Sequence, residues 1–192
     1  MKCVFYKRLL SDGLGLSPCE KIVYSNLVFQ AISSIWSDVV DKECNQFDKS
    51  LIEEQGEKIE LPFFMFNNNG KFWYANKMSI YCGISQSSIS NAYESLCLYG
   101  YIDKYRKTIR HNKIYENGYF TLLTNFNLES VLLTFYSWLV SLKGKDGYIY
   151  ANNKKLSTLY SKNESDIANF IFRLKKLGFV ERDKSKRLIL IK

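Results

Sequence analysis

An internal repeat limits the fold of this chain more than any other feature of its sequence. Residues 76–105 align without a gap with residues 154–183, at an offset of 78. Helix caps, apolar positions and glycine stops all coincide, which chance amphipathicity does not explain. The repeat predicts two similar units in tandem, residues 1–124 and residues 125–192. The matching pairs are Met78 with Leu156, Tyr81 with Leu159, Ile89 with Ile167, Asn91 with Asn169, Leu96 with Leu174 and Gly100 with Gly178.

The first copy begins with a predicted strand, a short helix and a turn. An aromatic stretch, Phe72 to Ala75, reads as a strand and leads to Asn76, a residue type that caps helix N-termini. A helix of little more than one turn follows, and Gly83 begins the turn that ends it. Ser85 can then cap a second, longer helix.

Apolar residues of the second helix recur at steps of three and four, the period of one buried face. Gly100 follows where a helix needs a left-handed stop. Tyr101 to Tyr105 is predicted to be a strand that enters a basic hairpin, and Tyr119 to Leu123 is predicted to be the returning strand. The predicted buried positions of the helix are Ile89, Tyr93, Leu96 and Tyr99.

This order of elements is typical of a winged helix-turn-helix. A further helix precedes it, because Ser17, Pro18 and Glu20 form a capping box that predicts a helix running to about Asp38. The predicted fold class is mainly α with small β hairpins (α+β), arranged as two tandem winged helix-turn-helix units. In the second unit, we predict a core helix at Leu128 to Leu142, a turn at Gly144 to Gly147, a strand at Tyr148 to Ala151 and a short wing at Asp183 to Lys192.

The outer face of the first unit's second helix carries small polar side chains that both donate and accept hydrogen bonds. Such side chains suit the reading of base edges in a major groove. The predicted base-reading residues are Gln86, Ser87, Ser90 and Asn91, with Glu94 on the same face. The hairpin is rich in cations and is predicted to contact phosphates through Lys104, Arg106, Lys107, Arg110 and Lys113, beside His111.

The second unit presents a different surface. Glu164 and Asp166 flank the start of its long helix and would repel an arriving phosphate, so its cations are predicted to contact the DNA backbone rather than to read bases. An outward Phe172 could instead pack against the first unit. The predicted backbone contacts of this unit are Arg173, Lys175, Lys176, Lys184, Lys186 and Arg187.

The charge is unevenly distributed. The chain has a net charge of +8, yet residues 38–60 hold eight acids against three lysines. Two basic units with one acidic insertion suggest a protein that binds a polyanion and has a spare surface. We predict that the core fold does not require the insertion, which either faces away from DNA and contacts a protein partner or a second copy, or covers the basic surface. A short helix is predicted near Ser50 to Gln55 within it.

Several function classes are excluded. Five cysteines without a CxxC pair and a single histidine do not predict a metal site, and no nucleotide-binding or hydrolase motif occurs. We therefore expect no cofactor and no enzymatic activity. The longest apolar run, Val131 to Leu142, is too short to span a bilayer. The N-terminus lacks the features of a secretory signal, so a cytoplasmic location is predicted.

Residues 4–123 resemble the N-terminal winged-helix domain of plasmid replication initiators of the replication initiator A kind and of related phage replication proteins. The resemblance is carried by FYKRLL, by LSPCEKIVYSNL and by NGKFWYANKMSIYCGISQSSISNAYESLCLYGYIDKYR. It implies binding to double-stranded DNA, in replication initiation or in transcriptional control. The alternative is a protein-protein interaction scaffold built from tandem winged helices.

Overall fold

The computed structural model describes residues 3–11, 14–39, 50–183 and 188–190, and it combines α-helices with small antiparallel sheets. The described helices are α1 (Pro18–Val39), α2 (Ser50–Glu54), α3 (Ala75–Cys82), α4 (Gln86–Leu98), α5 (Ser130–Leu142), α6 (Asn153–Tyr160) and α7 (Glu164–Lys176). The described strands are β1 (Val4–Tyr6), β2 (Lys58–Glu60), β3 (Ile102–Asp103), β4 (Thr108–Arg110), β5 (Tyr119–Thr121), β6 (Tyr148–Ile149), β7 (Val180–Arg182) and β8 (Leu188–Leu190). Within these ranges, no helix has the length and apolar character needed to cross a membrane.

The capping box predicted for α1 is present. The Ser17 amide donates to the Glu20 carboxylate over 2.7 Å, and the Glu20 amide donates to the Ser17 hydroxyl over 3.3 Å. The helix runs one residue beyond the predicted end, to Val39. On its inner side Ile22, Val23 and Leu27 are fully buried.

The first three-stranded sheet has the order β2-β4-β3, and its centre is a row of three buried isoleucines. Ile59 of β2 lies opposite Ile109 of β4, which lies opposite Ile102 of β3. The strand that returns from β3 is therefore β4, which follows it directly in sequence. The prediction of Tyr119 to Leu123 as the returning strand was wrong. The apolar face of this small sheet packs on the helices because each strand contributes one inward side chain.

The predicted first strand of the unit was also placed wrongly. Phe72 makes one antiparallel bridge to Phe66, across a turn closed by Gly70, and α3 already begins at Ala75 with Tyr74, not Asn76, at its N-cap. The strand that joins the sheet is β2 instead. It lies inside the acidic insertion, where a single buried residue, Ile59, alternates with charged neighbours.

The acidic insertion therefore contributes to the core. Its short helix α2 matches the predicted helix, and Ile52 on that helix is fully buried. The expectation that the core fold does not require residues 38–60 is wrong for residues 50–60, because α2 and β2 supply Ile52 and Ile59. Residues 40–49 lie outside the described part of the chain.

A separate two-stranded sheet joins the start of the first half to its end. In this sheet β1 runs antiparallel to β5, with Val4 opposite Thr121 and Tyr6 opposite Tyr119. The side chain of Asn26 on α1 holds the other edge of β1: its Oδ1 accepts from the Val4 amide and its Nδ2 donates to the Val4 carbonyl, each over 3.0 Å.

The second half repeats the order of the first. Helices α6 and α7 begin and end 78 residues after α3 and α4, and the sheet β6-β8-β7 again places its last strand in the middle. Ser85 and Asn163, which are equivalent under this offset, both cap the longer helix through their side chains. Gly100 and Gly178 both adopt the left-handed conformation, with φ of 74° and 73°.

The two halves share one continuous core. Helix α5 packs against α1 and β5 of the first half and against α7 of the second. The Ser137 hydroxyl on α5 accepts a hydrogen bond from the Leu123 amide over 2.9 Å. Gly83 lies so close to the connecting segment that a Cβ there would stand 3.2 Å from the Thr124 carbonyl oxygen.

Candidate nucleic-acid interface

Helix α4 is fixed at both ends and along its inner face. Gly83 takes the left-handed conformation, with φ of 61°, which allows the chain to turn sharply after α3. The Ser85 hydroxyl then accepts from the Ser88 amide over 3.2 Å. Ile89, Tyr93 and Leu96 are buried as predicted. Tyr99 is 56% exposed, contrary to the prediction, because α4 ends at Leu98 and the chain turns there.

The predicted base-reading residues lie together on the outer face of α4. Gln86, Ser87 and Asn91 are exposed, and Ser90 is half-buried. Ser87 Oγ lies 3.1 Å from the capping Ser85 Oγ, so its hydroxyl is partly engaged. Among the residues that the structure describes, the side-chain amides of Gln86 and Asn91 have no hydrogen-bond partner. Both amides are therefore available to bond an adenine edge at two points.

This helix face borders a groove of about 530 Å³. Ser90, Tyr93 and Glu94 form its helical wall, so Ser90 is the predicted base-reading residue that lines it. Lys71 lies in the turn on one side, and Lys104 and Tyr105 come from the hairpin on the other. Two lysines thus flank a polar helix face, which is suited to holding the phosphates on either side of a groove while the helix contacts bases. Lys71 was not predicted as a site residue.

The turn of the hairpin is held by an aspartate. Asp103 Oδ1 accepts from the Tyr105 and Arg106 amides over 3.2 and 3.1 Å. The hydrogen bond from the Arg106 amide, together with that from Tyr105, holds the pKa of the Asp103 carboxyl below its usual value. Arg106 is exposed, with its Nε 3.9 Å from Asp103 Oδ2, and Tyr105 is 88% exposed at the tip. The turn therefore presents Lys104, Tyr105 and Arg106 to solvent.

The other cations predicted for the hairpin lie elsewhere. Lys107 is half-buried, and its ammonium lies over the rings of Phe63 and Phe66, 5.4 and 5.1 Å from their centroids. Arg110 is exposed on β4 and lines a second groove, beyond the end of α4, which it shares with Lys104 and Tyr105. Lys113 is exposed in a later turn, where its carbonyl accepts from Arg8 over 3.1 Å. The five predicted cations therefore do not form one surface.

His111, which the sequence placed among the hairpin cations, is buried and structural. Its Nδ1 accepts from the Lys113 amide over 2.9 Å. Because Nδ1 accepts, the proton lies on Nε2, which donates to the Gly56 carbonyl over 2.8 Å. The ring thus ties the end of α2 to the turn after β4.

In the second half, only some of the cations predicted to contact the DNA backbone are exposed and unpaired in the described part of the chain. Arg173 forms an ion pair with Glu129 over 2.6 Å, while Lys175 and Lys176 are exposed at the end of α7. Phe172 is 66% exposed, so it does not pack against the first unit as one alternative expected. Lys184, Lys186 and Arg187 lie outside the described residues.

The four cysteines that the structure describes show no sign of reactivity. Cys3 and Cys82 are buried with their sulfur atoms 2.9 Å apart, and Cys19 and Cys97 are half-buried. The hydrogen bond that it shares with the Cys3 thiol, together with burial, raises the pKa of the Cys82 thiol. A raised pKa lowers the thiolate fraction and hence the nucleophilicity. In the described part of the chain, no three His, Cys, Asp or Glu side chains come together in a way that could hold a metal ion.

Comparisons of the chain with models of known protein families, with curated proteins and with solved structures found no significant match. The resemblance to plasmid and phage replication proteins therefore stays a prediction.

Proposed function

We propose that the protein is built from two tandem winged helix-turn-helix units and binds double-stranded DNA through the first of them. The arrangement of elements supports this: in each half a helix, a strand, two helices and a hairpin follow in order, and the last strand lies in the middle of the sheet. In the proposed complex, α4 enters the major groove and the hairpin turn follows the adjacent backbone. The resemblance suggests a role in replication initiation or in transcriptional control.

The observation that carries the proposal is the groove beside α4. Asn91 and Gln86 offer unbonded amides on the helix, and Lys71 and Lys104 flank it. Arg106 extends the cationic edge at the hairpin turn. Glu94 is the one acid in the groove wall, and it would repel phosphate there. It stands one turn beyond Ser90 on α4, so the N-terminal part of the helix is the part that reads bases.

Salt dependence of binding tests this proposal. Three phosphate contacts, at Lys71, Lys104 and Arg106, should each release counterions, so log affinity for a random duplex should fall with log salt at a slope of about −3. The double variant Lys71→Ala/Lys104→Ala should lower that slope in magnitude by about 2. Fluorescence anisotropy with a labelled duplex, titrated at several salt concentrations, gives both slopes.

The matched control is Lys143→Ala/Lys145→Ala, which removes the same charge from two exposed lysines of the turn after α5. Its slope should equal that of the unchanged protein. If both double variants reduce the magnitude of the salt slope equally, binding depends on net charge and not on the groove. If the unchanged protein does not bind duplex DNA at low salt, the proposal fails and the interaction-scaffold alternative gains support.

A further inference from the structure

A second surface of the first half combines exposed aromatic rings with lysines. We define the aromatic patch as Phe63, Phe64, Trp73, Lys77 and Lys107. The three aromatic side chains are 73%, 44% and 39% exposed. Lys77 Nζ lies 4.8 Å from the centroid of the Trp73 ring, and Lys107 Nζ lies 5.4 Å from that of Phe63. Cations thus cover one side of two rings and leave the remaining ring surface to solvent.

The backbone holds these rings outward. Pro62 precedes a short 3-10 helix, Phe63–Met65, and Met65 at its end is fully buried as an anchor. The Met65 carbonyl accepts from the Trp73 amide over 3.1 Å and from the Tyr74 amide over 3.3 Å. These bonds tie the segment that carries the two phenylalanines to the segment that carries the tryptophan. The exposed rings are therefore pre-positioned, which lowers the entropy cost of binding.

We propose that the aromatic patch binds single-stranded DNA, with unpaired bases stacked on its rings and with Lys77 and Lys107 against the phosphates. Aromatic side chains in a cationic setting accept any base, because every base presents a π-face. A protein partner fits this surface less well, because lysine is depleted at the core of protein interfaces and here two lysines lie over the rings themselves.

The patch is continuous with the groove beside α4. Phe72 lines that groove and its ring centroid lies 6.1 Å from that of Phe66, over which Lys107 also lies. A DNA strand that separates from a duplex held in the groove would thus reach the patch by way of Phe72 and Phe66. This placement rests on the proposed function, whereas single-strand binding rests on the patch alone.

The test uses labelled oligo(dT) and the full chain, with affinity measured by anisotropy at low salt. Phe63→Ala and Trp73→Ala should each weaken oligo(dT) binding by about 10-fold, the loss of one stacked base. Trp73→Phe keeps an aromatic face and should restore most of the affinity. Tyr150→Ala removes an aromatic side chain of similar exposure from the second half, and it should change nothing. Thermal unfolding of each variant checks that it is folded.

Three outcomes would overturn the inference. The unchanged protein does not bind oligo(dT), or all four variants bind it equally well, or Trp73→Phe fails to restore the affinity that Trp73→Ala loses. Sedimentation without DNA adds a further check. If the unchanged protein is a dimer, and if Phe63→Ala dissociates that dimer but leaves oligo(dT) binding unchanged, the patch is a self-association surface. Duplex binding measured on the same variants separates the two proposals: duplex binding with no oligo(dT) binding sinks only this one, and the reverse sinks only the proposed function.

Discussion

Replacing Ile59 with alanine tests whether the acidic insertion is part of the fold. Ile59 is the central residue of β2 and is buried against Ile109, which in turn pairs with Ile102. If β2 completes the sheet, truncation at its centre removes apolar atoms from a packed interior. If the segment is only an excursion of the chain, the same truncation should be tolerated.

The expected loss follows from what is removed. Truncation of isoleucine to alanine deletes three carbon atoms, at about 0.8 kcal/mol for each buried methylene or methyl group. The cavity that remains adds a further cost, because the surrounding strands relax only partly. We therefore expect the free energy of unfolding to fall by about 3 kcal/mol, within the usual range for such core truncations.

Urea unfolding followed by circular dichroism measures this difference. The matched control is Glu57→Ala, an exposed position in the same segment, and it should change the free energy of unfolding by less than about 0.5 kcal/mol. A loss below about 1 kcal/mol for Ile59→Ala would refute the reasoning, since a surface excursion behaves in that way. The m-value should stay unchanged, so that the midpoint alone reports stability.

Two further predictions concern the proposed DNA-binding face. Asn91→Ala should lower the binding free energy by about 1–3 kcal/mol on a preferred duplex selected from a random pool and by little on random DNA. Asn169→Ala, at the equivalent exposed position of α7, should lower it by little on either duplex. Equal losses on both duplexes for Asn91→Ala would mean that α4 contacts the DNA backbone and not the bases. The lowered pKa of Asp103 means that its ionised form stabilises the hairpin turn above the usual aspartate pKa, and that this contribution is lost as pH falls through the lowered value. The Arg106 amide shift in NMR should therefore titrate with a midpoint below that of an ordinary aspartate and should lose this titration in Asp103→Asn; an ordinary midpoint would contradict the bonding.

Helix ends could be predicted from the sequence where a side chain or a glycine caps the helix, because capping is local; α3, whose N-cap Tyr74 makes no side-chain cap bond, is the exception. Ser17 and Ser85 cap the helices that they were expected to cap, and Gly83 and Gly100 adopt the left-handed conformation where a stop was expected. The inner face of α4 followed from its period. Only Tyr99, at the helix end, was misplaced, because a residue one position beyond the last turn no longer follows that period.

The strands were harder to predict. A strand of three residues such as β2 offers one buried side chain, Ile59, which is too little for an alternating pattern to stand out from its charged neighbours. The aromatic run from Phe72 has strand-like composition, but Phe72 stacks on a helix instead. The centroid of its ring lies 3.9 Å from that of the Tyr93 ring on α4. The pairing of β5 with β1 joins distant parts of the chain, which no local pattern reveals.

The candidate site was predicted in part for the same reason. The polar face of α4 follows from helical period, so Gln86 and Asn91 could be found. The position of a cation depends on where a loop is carried by the fold. Lys71 comes to the groove through the turn before α3, and Lys107 is drawn away from it by two phenylalanine rings.

The pairing of β1 with β5 has a consequence for synthesis of the protein. Ribosomes make Val4 early and Thr121 late, so the first half cannot finish folding until that later strand has left the exit tunnel. In the meantime, Asn26 is a partner that β1 can reach over only 22 residues, and short loops close at lower entropy cost than long ones. A side chain on the first helix therefore satisfies the amide and carbonyl of Val4, which face away from β5, while the backbone groups of β1 that face β5 wait for that strand to be translated.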